Sequence, residues 1–142
     1  MEAELLGDAP ALVSPGEYHV MLDWFRTATM FKAPKLELVF TIVSHGQYFG
    51  IRLSRYYNVD RIIGKPQKGG RFKVGRNRDF TREFCSLFHH AGSRLDRLPM
   101  TRFEGATLKA SVVTVKQARG QHIPKALQYS KIDQLIKVVE HA

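Results

Sequence analysis

The amino-acid sequence predicts one mainly β domain in which three strands, a helix and two further strands follow one another. Apolar residues alternate with polar ones along four segments, helical spacing occurs once in the middle of the chain, and glycine or proline separates these segments. The length of 142 residues corresponds to about one domain. The apolar fraction of 44% and the charged fraction of 25% are ordinary for a globular protein, which argues against a disordered chain.

Three strands are predicted in the first part of the chain, after a weakly ordered lead-in over residues 1–15. One face of the first strand carries four apolar residues: Tyr18, Val20, Leu22 and Trp24. The run 27–34 breaks this pattern, and Pro34 excludes a central strand there. The second and third strands follow at 35–44 and 48–57, and a short glycine-containing turn joins them into an antiparallel meander.

Residues 58–78 contain four glycines and no sustained periodicity, so they are predicted to form a long loop. A helix is predicted to begin with Asp79 as its N-cap and to have Gly92 as its C′ residue. One helix face carries five apolar residues: Phe80, Phe84, Leu87, Phe88 and Ala91.

A fourth strand is predicted at 107–116, where alternation returns, and a fifth around 127–133. The residues Ile132, Leu135, Ile136 and Val139 fit helical spacing, so the chain could also end in a short C-terminal helix. This order of elements matches a five-stranded Greek-key barrel with a helix between strands three and four, which is the OB-fold arrangement. We therefore expect a single OB-like domain over residues 16–142.

The positive charge of the chain is concentrated in one segment. The 22 Lys and Arg against 13 Asp and Glu leave a net charge of +9. Eight basic residues and only one acid, Asp79, lie between Arg61 and Arg82, so this segment carries +7 of the total. Basic groups neutralise phosphates and exposed aromatic rings stack on bases, so this composition favours a site for single-stranded nucleic acid over one for a duplex.

The predicted nucleic-acid-binding residues lie on the third strand, the basic loop and the two loops that frame the binding face of an OB fold. Phosphate contacts are expected from Arg52, Arg55, Arg71, Lys73, Arg76 and Arg78, and base stacking from Tyr56 and Phe72. Further binding residues are expected at Lys65 and Lys68 in the basic loop, at Phe31 and Lys32 between strands one and two, and at Arg119 and Lys125 between strands four and five.

The aromatic residues divide into core candidates and surface candidates. The core candidates lie on apolar faces: Trp24, Phe40, Phe49, Phe84 and Phe88. Tyr56 is the best stacking candidate, because it shares a strand face with Arg52. The positions of Tyr57 and Tyr129 stay open.

Four segments resemble small single-stranded DNA-binding proteins of phages and mobile elements: residues 15–18, 40–43, 50–53 and 108–112. The resemblance covers most of residues 15–135. It implies an OB fold and non-sequence-specific coating of single-stranded DNA in replication or recombination, often by a dimer. The residues 139–142 depart from the acidic tail with which bacterial homotetrameric versions recruit partners, so the resemblance does not extend to the partner-recruiting role.

Motifs for catalysis or cofactor binding are not evident, so neither an enzyme nor a cofactor or metal is expected. The segment 64–70 lacks the order of a P-loop, and no Gly-x-Ser-x-Gly motif occurs. Two binding alternatives stay open: an RNA-binding or ribosome-associated module, and a protein-interaction module with a basic docking loop. A nuclease with dispersed carboxylates also stays open, and its candidates are Asp23, Glu37, Asp60 and Glu83.

A cytoplasmic homodimer is expected. The single cysteine, Cys85, fits a reducing compartment, and the first residues are acidic, unlike a signal peptide. No apolar run approaches the roughly 20 residues needed to span a membrane, so no membrane partner is expected. The edge strands of a small barrel can pair across a two-fold axis, which favours a dimer.

Overall fold

A computed structural model describes residues 12–89, 98–118 and 120–141 of the chain. The strands are β1 (Gly16–Met30), β2 (Ala33–Ile42), β3 (Arg52–Asn58), β4 (Arg61–Ile63), β5 (Arg71–Lys73), β6 (Ala106–Val115), β7 (Gln117–Ala118), β8 (Gln121–His122) and β9 (Tyr129–His141). One α-helix, α1 (Asp79–Phe88), and two 3₁₀ turns at Met100–Phe103 and Lys125–Leu127 lie among the described residues. The expectation of a mainly β fold with one helix between the third and the later long strands is confirmed.

Five long strands form one antiparallel sheet in the order β3-β2-β1-β6-β9. The meander of the first three strands and the strand β6 agree with the sequence prediction. A closed barrel is not confirmed, because no ladder joins the edge strands β3 and β9 among the described residues. The side chain of Glu83 on α1 links the two edges instead: its carboxylate accepts hydrogen bonds from Tyr57 on β3 and from the backbone N–H of Leu135 on β9.

The core lies between one face of this sheet and α1. Phe84 and Phe88 of α1 pack on Phe103 with ring centroids 5.8 and 5.0 Å apart, and Phe40 of β2 reaches the same ring. The core assignments of Phe40, Phe84 and Phe88 are therefore confirmed. The assignment of Phe49 is wrong: the third strand begins at Arg52 rather than at Tyr48, so Phe49 lies in the turn before it and is 63% exposed.

The first strand is longer than expected and contains a β-bulge at Asp23. The register advances from Leu22 opposite Phe40 to Trp24 opposite Val39, so Asp23 is an extra residue. The bulge reverses the faces of the residues that follow it, because a shift of one residue turns every side chain to the other side. Trp24 therefore lies outside the core, which corrects its assignment, while Phe25 packs against the core.

The expected break at 27–34 is also absent. β1 and β2 are joined by a two-residue turn, Phe31-Lys32, and Pro34 pairs with Thr29. In such a hairpin the residues that flank the turn form the hydrogen-bonded pair and the next pair does not. Pro34 therefore removes no hydrogen bond between β1 and β2.

The segment predicted as a long loop, 58–78, contains a small hairpin. β4 and β5 pair in register from Arg61 opposite Lys73 to Ile63 opposite Arg71. Phe72 of this hairpin lies edge-on to Phe80 of α1, with ring centroids 5.7 Å apart. The sequence prediction missed the hairpin because each of its strands is only three residues long.

The predicted C-terminal helix is wrong, because these residues belong to the 13-residue strand β9. The register of β6 and β9 shifts three times, so that Asp133, Ile136 and Val139 are extra residues. Each bulge adds one residue to the alternation, and the inward side chains Ile132, Leu135 and Val138 are therefore three residues apart. A spacing of three residues resembles one face of a helix.

The helix α1 differs from its predicted limits by one residue at the start and by a turn at the end. Arg78 is the N-cap, with Asp79 the first helical residue, and His89 ends the helix in the left-handed conformation at φ 50°. The residues Ala91 and Gly92 lie outside the described part of the chain, as do residues 1–11 of the predicted lead-in. Val13 is buried, and its N–H donates to Ser130 Oγ over 2.7 Å. In the described part of the chain, no helix combines the length and the apolar character that crossing a membrane requires.

Candidate nucleic-acid interface

The face of β1, β2 and β3 that is turned away from the core, here called the outer face, carries a row of polar side chains. Strand register places Arg26 opposite Glu37 and Glu37 opposite Tyr56. Lys68, in the turn between β4 and β5, forms an isolated bridge with Arg26. The row therefore runs Lys68, Arg26, Glu37, Tyr56 and joins the basic segment to the third strand.

Glu37 lies buried in the middle of this row, and its negative charge is paired with the guanidinium of Arg26. Arg26 Nε donates to Glu37 Oε1 and Ser54 Oγ donates to Glu37 Oε2, each over 2.5 Å. Burial raises the pKa of the Tyr56 phenol, and the negative charge of Glu37 raises it further. Tyr56 is therefore neutral at physiological pH and presents a half-buried, uncharged ring to the outer face.

Trp24 adds a second ring to the outer face, next to Lys68. The ammonium of Lys68 lies 5.3 Å from the centroid of the Trp24 ring, which is within the range of a cation–π contact. Both residues line a cavity of about 390 Å³ together with Phe25 and Met100. The sequence prediction missed Trp24 as a surface residue, because Leu22, Asp23 and Trp24 follow the regular alternation of a strand and the bulge shows only in the pairing with β2.

A second cavity of about 390 Å³ lies at the tip of the β1–β2 hairpin and is here called the tip groove. Its lining residues are Met30, Phe31, Lys35, Tyr56 and Tyr129. The predicted binding residue Phe31 is 80% exposed, and its neighbour Lys32 is exposed as well. The tip groove therefore combines the loop between the first two strands with the start of β9, and it contains Tyr129, whose role the sequence left open.

The basic hairpin, defined as residues 61–73, is attached to β1 beyond the point where β6 ends its pairing. The N–H of Thr27 donates to the carbonyl of Gln67 over 3.0 Å, and the N–H of Gly69 donates to the carbonyl of Phe25 over 2.9 Å. A Cβ at Gly70 would lie 2.4 Å from Thr27 Oγ1, so this close approach requires glycine. The hairpin is thus held beside the outer face.

The cations of the basic hairpin are exposed, whereas its aromatic residue is not. Lys65, Lys68, Arg71 and Lys73 lie on the surface, and no ion pair to them occurs within the described ranges. Phe72 is half-buried because its ring packs on Phe80. We therefore assign Phe72 to anchoring the hairpin and not to base stacking.

Four predicted phosphate-binding arginines differ in their exposure and in their ion pairs. Arg52 is exposed on the outer face and pairs with Asp23, with 2.9 Å between Nε and Oδ2. Arg76 is exposed, while Arg78 pairs with Asp60 over 2.8 Å. Arg55 faces the core side of β3.

Arg55 is part of an internal network with Glu83 and Tyr57. Its guanidinium bonds to Glu83 and lies 4.2 Å from the centroid of the Tyr57 ring. Burial alone would lower the pKa of Arg55, but Glu83 and Tyr57 outweigh it and the pKa is raised. Arg55 is therefore occupied by intramolecular partners, which corrects its expected place on the binding surface. Of the remaining candidates, Lys125 is exposed and Arg119 lies outside the described residues.

The carboxylates considered for a nuclease do not meet. Each of the four has an arginine of its own: Asp23 with Arg52, Glu37 with Arg26, Asp60 with Arg78, and Glu83 with Arg55. Within the described ranges, no three or more His, Cys, Asp or Glu side chains are grouped to hold a metal ion.

Comparison with protein-family models, with curated proteins and with solved structures finds no match to this chain.

Proposed function

We propose that this protein binds single-stranded DNA without sequence preference, through the outer face of β1–β3 and the adjoining basic hairpin. The observation that carries the proposal is the continuous row from Lys68 through Arg26 and Glu37 to Tyr56. This row has the exposed Lys68 of the basic hairpin at one end and the ring of Tyr56 at the other. A single strand laid along it would meet both kinds of contact.

The electrostatic part of the proposal concerns the phosphates. Lys65, Lys68, Arg71 and Lys73 are exposed and close together on a hairpin that backbone hydrogen bonds hold against β1. Neutralised phosphates release their counterions, which supplies affinity that does not depend on sequence. Arg26 already neutralises the buried Glu37, so this carboxylate adds little repulsion.

The aromatic part of the proposal favours a single strand over a duplex. Trp24 and Tyr56 are half-buried rings on a sheet face, and only bases that are not stacked inside a helix can lie against them. Base–aromatic stacking contributes about 1–3 kcal/mol for each base and tolerates every base type. A face with two rings and a cationic border therefore suits a flexible single strand.

The fold is compatible with this proposal. An OB fold is a partly open five-stranded barrel, and the sheet described above has five long strands, a helix after the third and an open seam between β3 and β9. We propose that the chain is OB-like and that it coats DNA during replication or recombination rather than catalysing a reaction. We propose that the protein forms a homodimer, because edge strands of a small barrel can pair across a two-fold axis.

Fluorescence anisotropy with labelled oligonucleotides at several salt concentrations tests the proposal. The probes are single-stranded DNA, duplex DNA and single-stranded RNA of one sequence. The double variant Arg71→Gln, Lys73→Gln is compared with the double variant Lys131→Gln, Lys137→Gln on β9, which removes the same charge elsewhere. We expect the first variant to reduce the slope of log K against log salt by about 1.4, at about 0.7 for each lost phosphate contact, and the second to leave it unchanged.

Four outcomes contradict this proposal. Equal affinity for duplex and single-stranded DNA, or affinity without salt dependence, excludes the mechanism. Tighter binding of RNA than of DNA would assign the protein to RNA, whose 2′-OH distinguishes it. Unchanged binding by the Arg71 and Lys73 variant would favour a protein partner for the basic hairpin.

A further inference from the structure

The turn between β1 and β2 has an unfavourable backbone conformation for its sequence. Phe31 and Lys32 have φ angles of 53° and 63°, and positive φ at both positions of a two-residue turn is typical of type I′. Such turns favour Asn-Gly, because an L side chain with a Cβ is strained in this conformation. A bulky aromatic residue at the first position therefore costs stability.

Burial does not compensate for this cost, since Phe31 is 80% exposed. Strained residues persist when the surrounding structure enforces them, and they are concentrated at sites that bind ligands. The strained turn thus holds a largely exposed aromatic residue at the tip of the hairpin.

The surroundings of Phe31 indicate what it could hold. The tip groove brings together Phe31 from the hairpin tip, Tyr56 from β3 and Tyr129 from β9, with Lys35 beside them. Asn58 Oδ1 accepts a hydrogen bond from the ammonium of Lys35, which fixes this cation near the rings. The cavity of about 390 Å³ lies within the range of small-molecule binding pockets.

We propose that the tip groove binds one unstacked nucleobase of the bound strand, with the ring of Phe31 held against it by the strained turn. Three rings from three separate elements offer apolar surface to a flat nucleobase. Lys32 and Lys35 offer cations to the phosphates of the bound strand. Tyr56 is the last residue of the row on the outer face, so a strand that follows this row reaches the tip groove. This inference rests on the proposed function and adds a base-binding subsite to it.

The test separates contacts to bases from contacts to phosphates. Binding is measured for a single-stranded deoxyoligonucleotide and for an oligomer of the same length in which every nucleotide is abasic. The variant Phe31→Asn removes the ring, keeps the charge of Lys32 and places a residue that tolerates positive φ. Phe31→Trp restores an aromatic ring, and Phe49→Asn removes another exposed phenylalanine outside the tip groove.

We expect Phe31→Asn to bind the normal oligonucleotide about fivefold to a hundredfold more weakly and the abasic oligomer equally well. Its melting temperature should equal or exceed that of the parent protein, because the strain is relieved. Phe31→Trp should keep most of the affinity, and Phe49→Asn should bind both probes like the parent.

Two results overturn the inference and leave the proposed function standing. One is an unchanged affinity of Phe31→Asn for the normal oligonucleotide, and the other is an equal loss of affinity for both probes. If the parent protein binds neither probe, the proposed function fails together with the inference.

Discussion

The two faces of β3 carry the same kinds of residue in opposite roles. Arg52, Ser54 and Tyr56 lie on the outer face, whereas Leu53, Arg55 and Tyr57 lie on the core face. The side chain of Arg52 is 65% exposed and pairs with Asp23, whose side chain is 34% exposed. The side chain of Arg55 is only 14% exposed and pairs with Glu83. Adjacent tyrosines differ likewise, because Tyr57 is buried in the core and Tyr56 lines the tip groove.

This difference shows that residue type does not decide which arginine or tyrosine serves a binding surface. Glu83 of α1 provides a carboxylate on the core face, and it accepts hydrogen bonds from Arg55, from the Tyr57 hydroxyl at 2.9 Å and from the N–H of Leu135 at 3.0 Å. It connects β3, α1 and β9 at the seam, where no ladder among the described residues closes the sheet. The side chains on the core face of β3 thus contribute to stability, whereas on the outer face Arg52 is exposed and Ser54 and Tyr56 are half-buried.

The largest expected effect concerns the two arginines. Arg55→Met leaves the charge of Glu83 without its buried partner and should lower the free energy of unfolding by about 3–5 kcal/mol. Arg52→Met removes an exposed pair and should change it by about 0–1 kcal/mol. Urea denaturation of both variants measures their free energies of unfolding. Similar losses of stability in the two variants would show that Arg55 contributes no more to stability than Arg52.

A smaller effect is expected from the two tyrosines, and it appears in binding. Tyr56→Leu should weaken the binding of single-stranded DNA by about 1–3 kcal/mol, because it removes one stacking ring, while Tyr56→Phe should retain the affinity. Tyr57→Phe alters a buried hydroxyl and should leave the affinity unchanged. Anisotropy titrations measure both affinities. A loss of affinity in Tyr57→Phe as large as in Tyr56→Leu would refute the assignment of Tyr56 as the residue that stacks on a base.

The smallest effect is a pH dependence of stability. Burial raises the pKa of Tyr57 well above its ordinary value of about 10, and the charge of Glu83 adds to this while Arg55 opposes it. The unfolded chain therefore loses this proton at lower pH than the folded one. Stability from Tyr57 is present below about pH 10 and is lost as the pH rises through the raised value.

The variant Tyr57→Phe isolates this contribution. Near neutral pH the parent should be more stable than the variant by about 1 kcal/mol, because of the hydrogen bond to Glu83. This advantage should shrink above about pH 10, since phenylalanine does not ionise. Denaturation of both proteins at about pH 8 and about pH 11 measures the difference, and a constant gap would contradict the raised pKa.

The strands β2 and β6, the meander and the start of α1 could be predicted because their patterns are uninterrupted. The alternation Leu36, Leu38, Phe40, Ile42 continues through β2, and all four side chains are buried. The position of Tyr56 on the same face as Arg52 followed from the same period of two.

Two predictions failed because a residue was added to the pattern. The bulge at Asp23 moved Trp24 to the outer face, and three bulges in β9 gave its inward residues the spacing of a helix. A bulge is defined by the partner strand, which lies far away in the sequence, so one strand alone does not reveal it. The attachment of the basic hairpin to β1 could not be predicted for a related reason, because its contact with Thr27 involves residues 40 positions apart.

The sequence by itself determined the mainly β class, the apolar faces of the regular strands and the concentration of positive charge between Arg61 and Arg82. These are local properties, and they follow from the period of a strand and from composition. Only the tertiary structure decided which of two arginines on β3 is buried, which aromatic residues form the tip groove and where the basic hairpin is attached. Each of these depends on contacts between distant segments, because burial and charge pairing depend on residues that folding brings together.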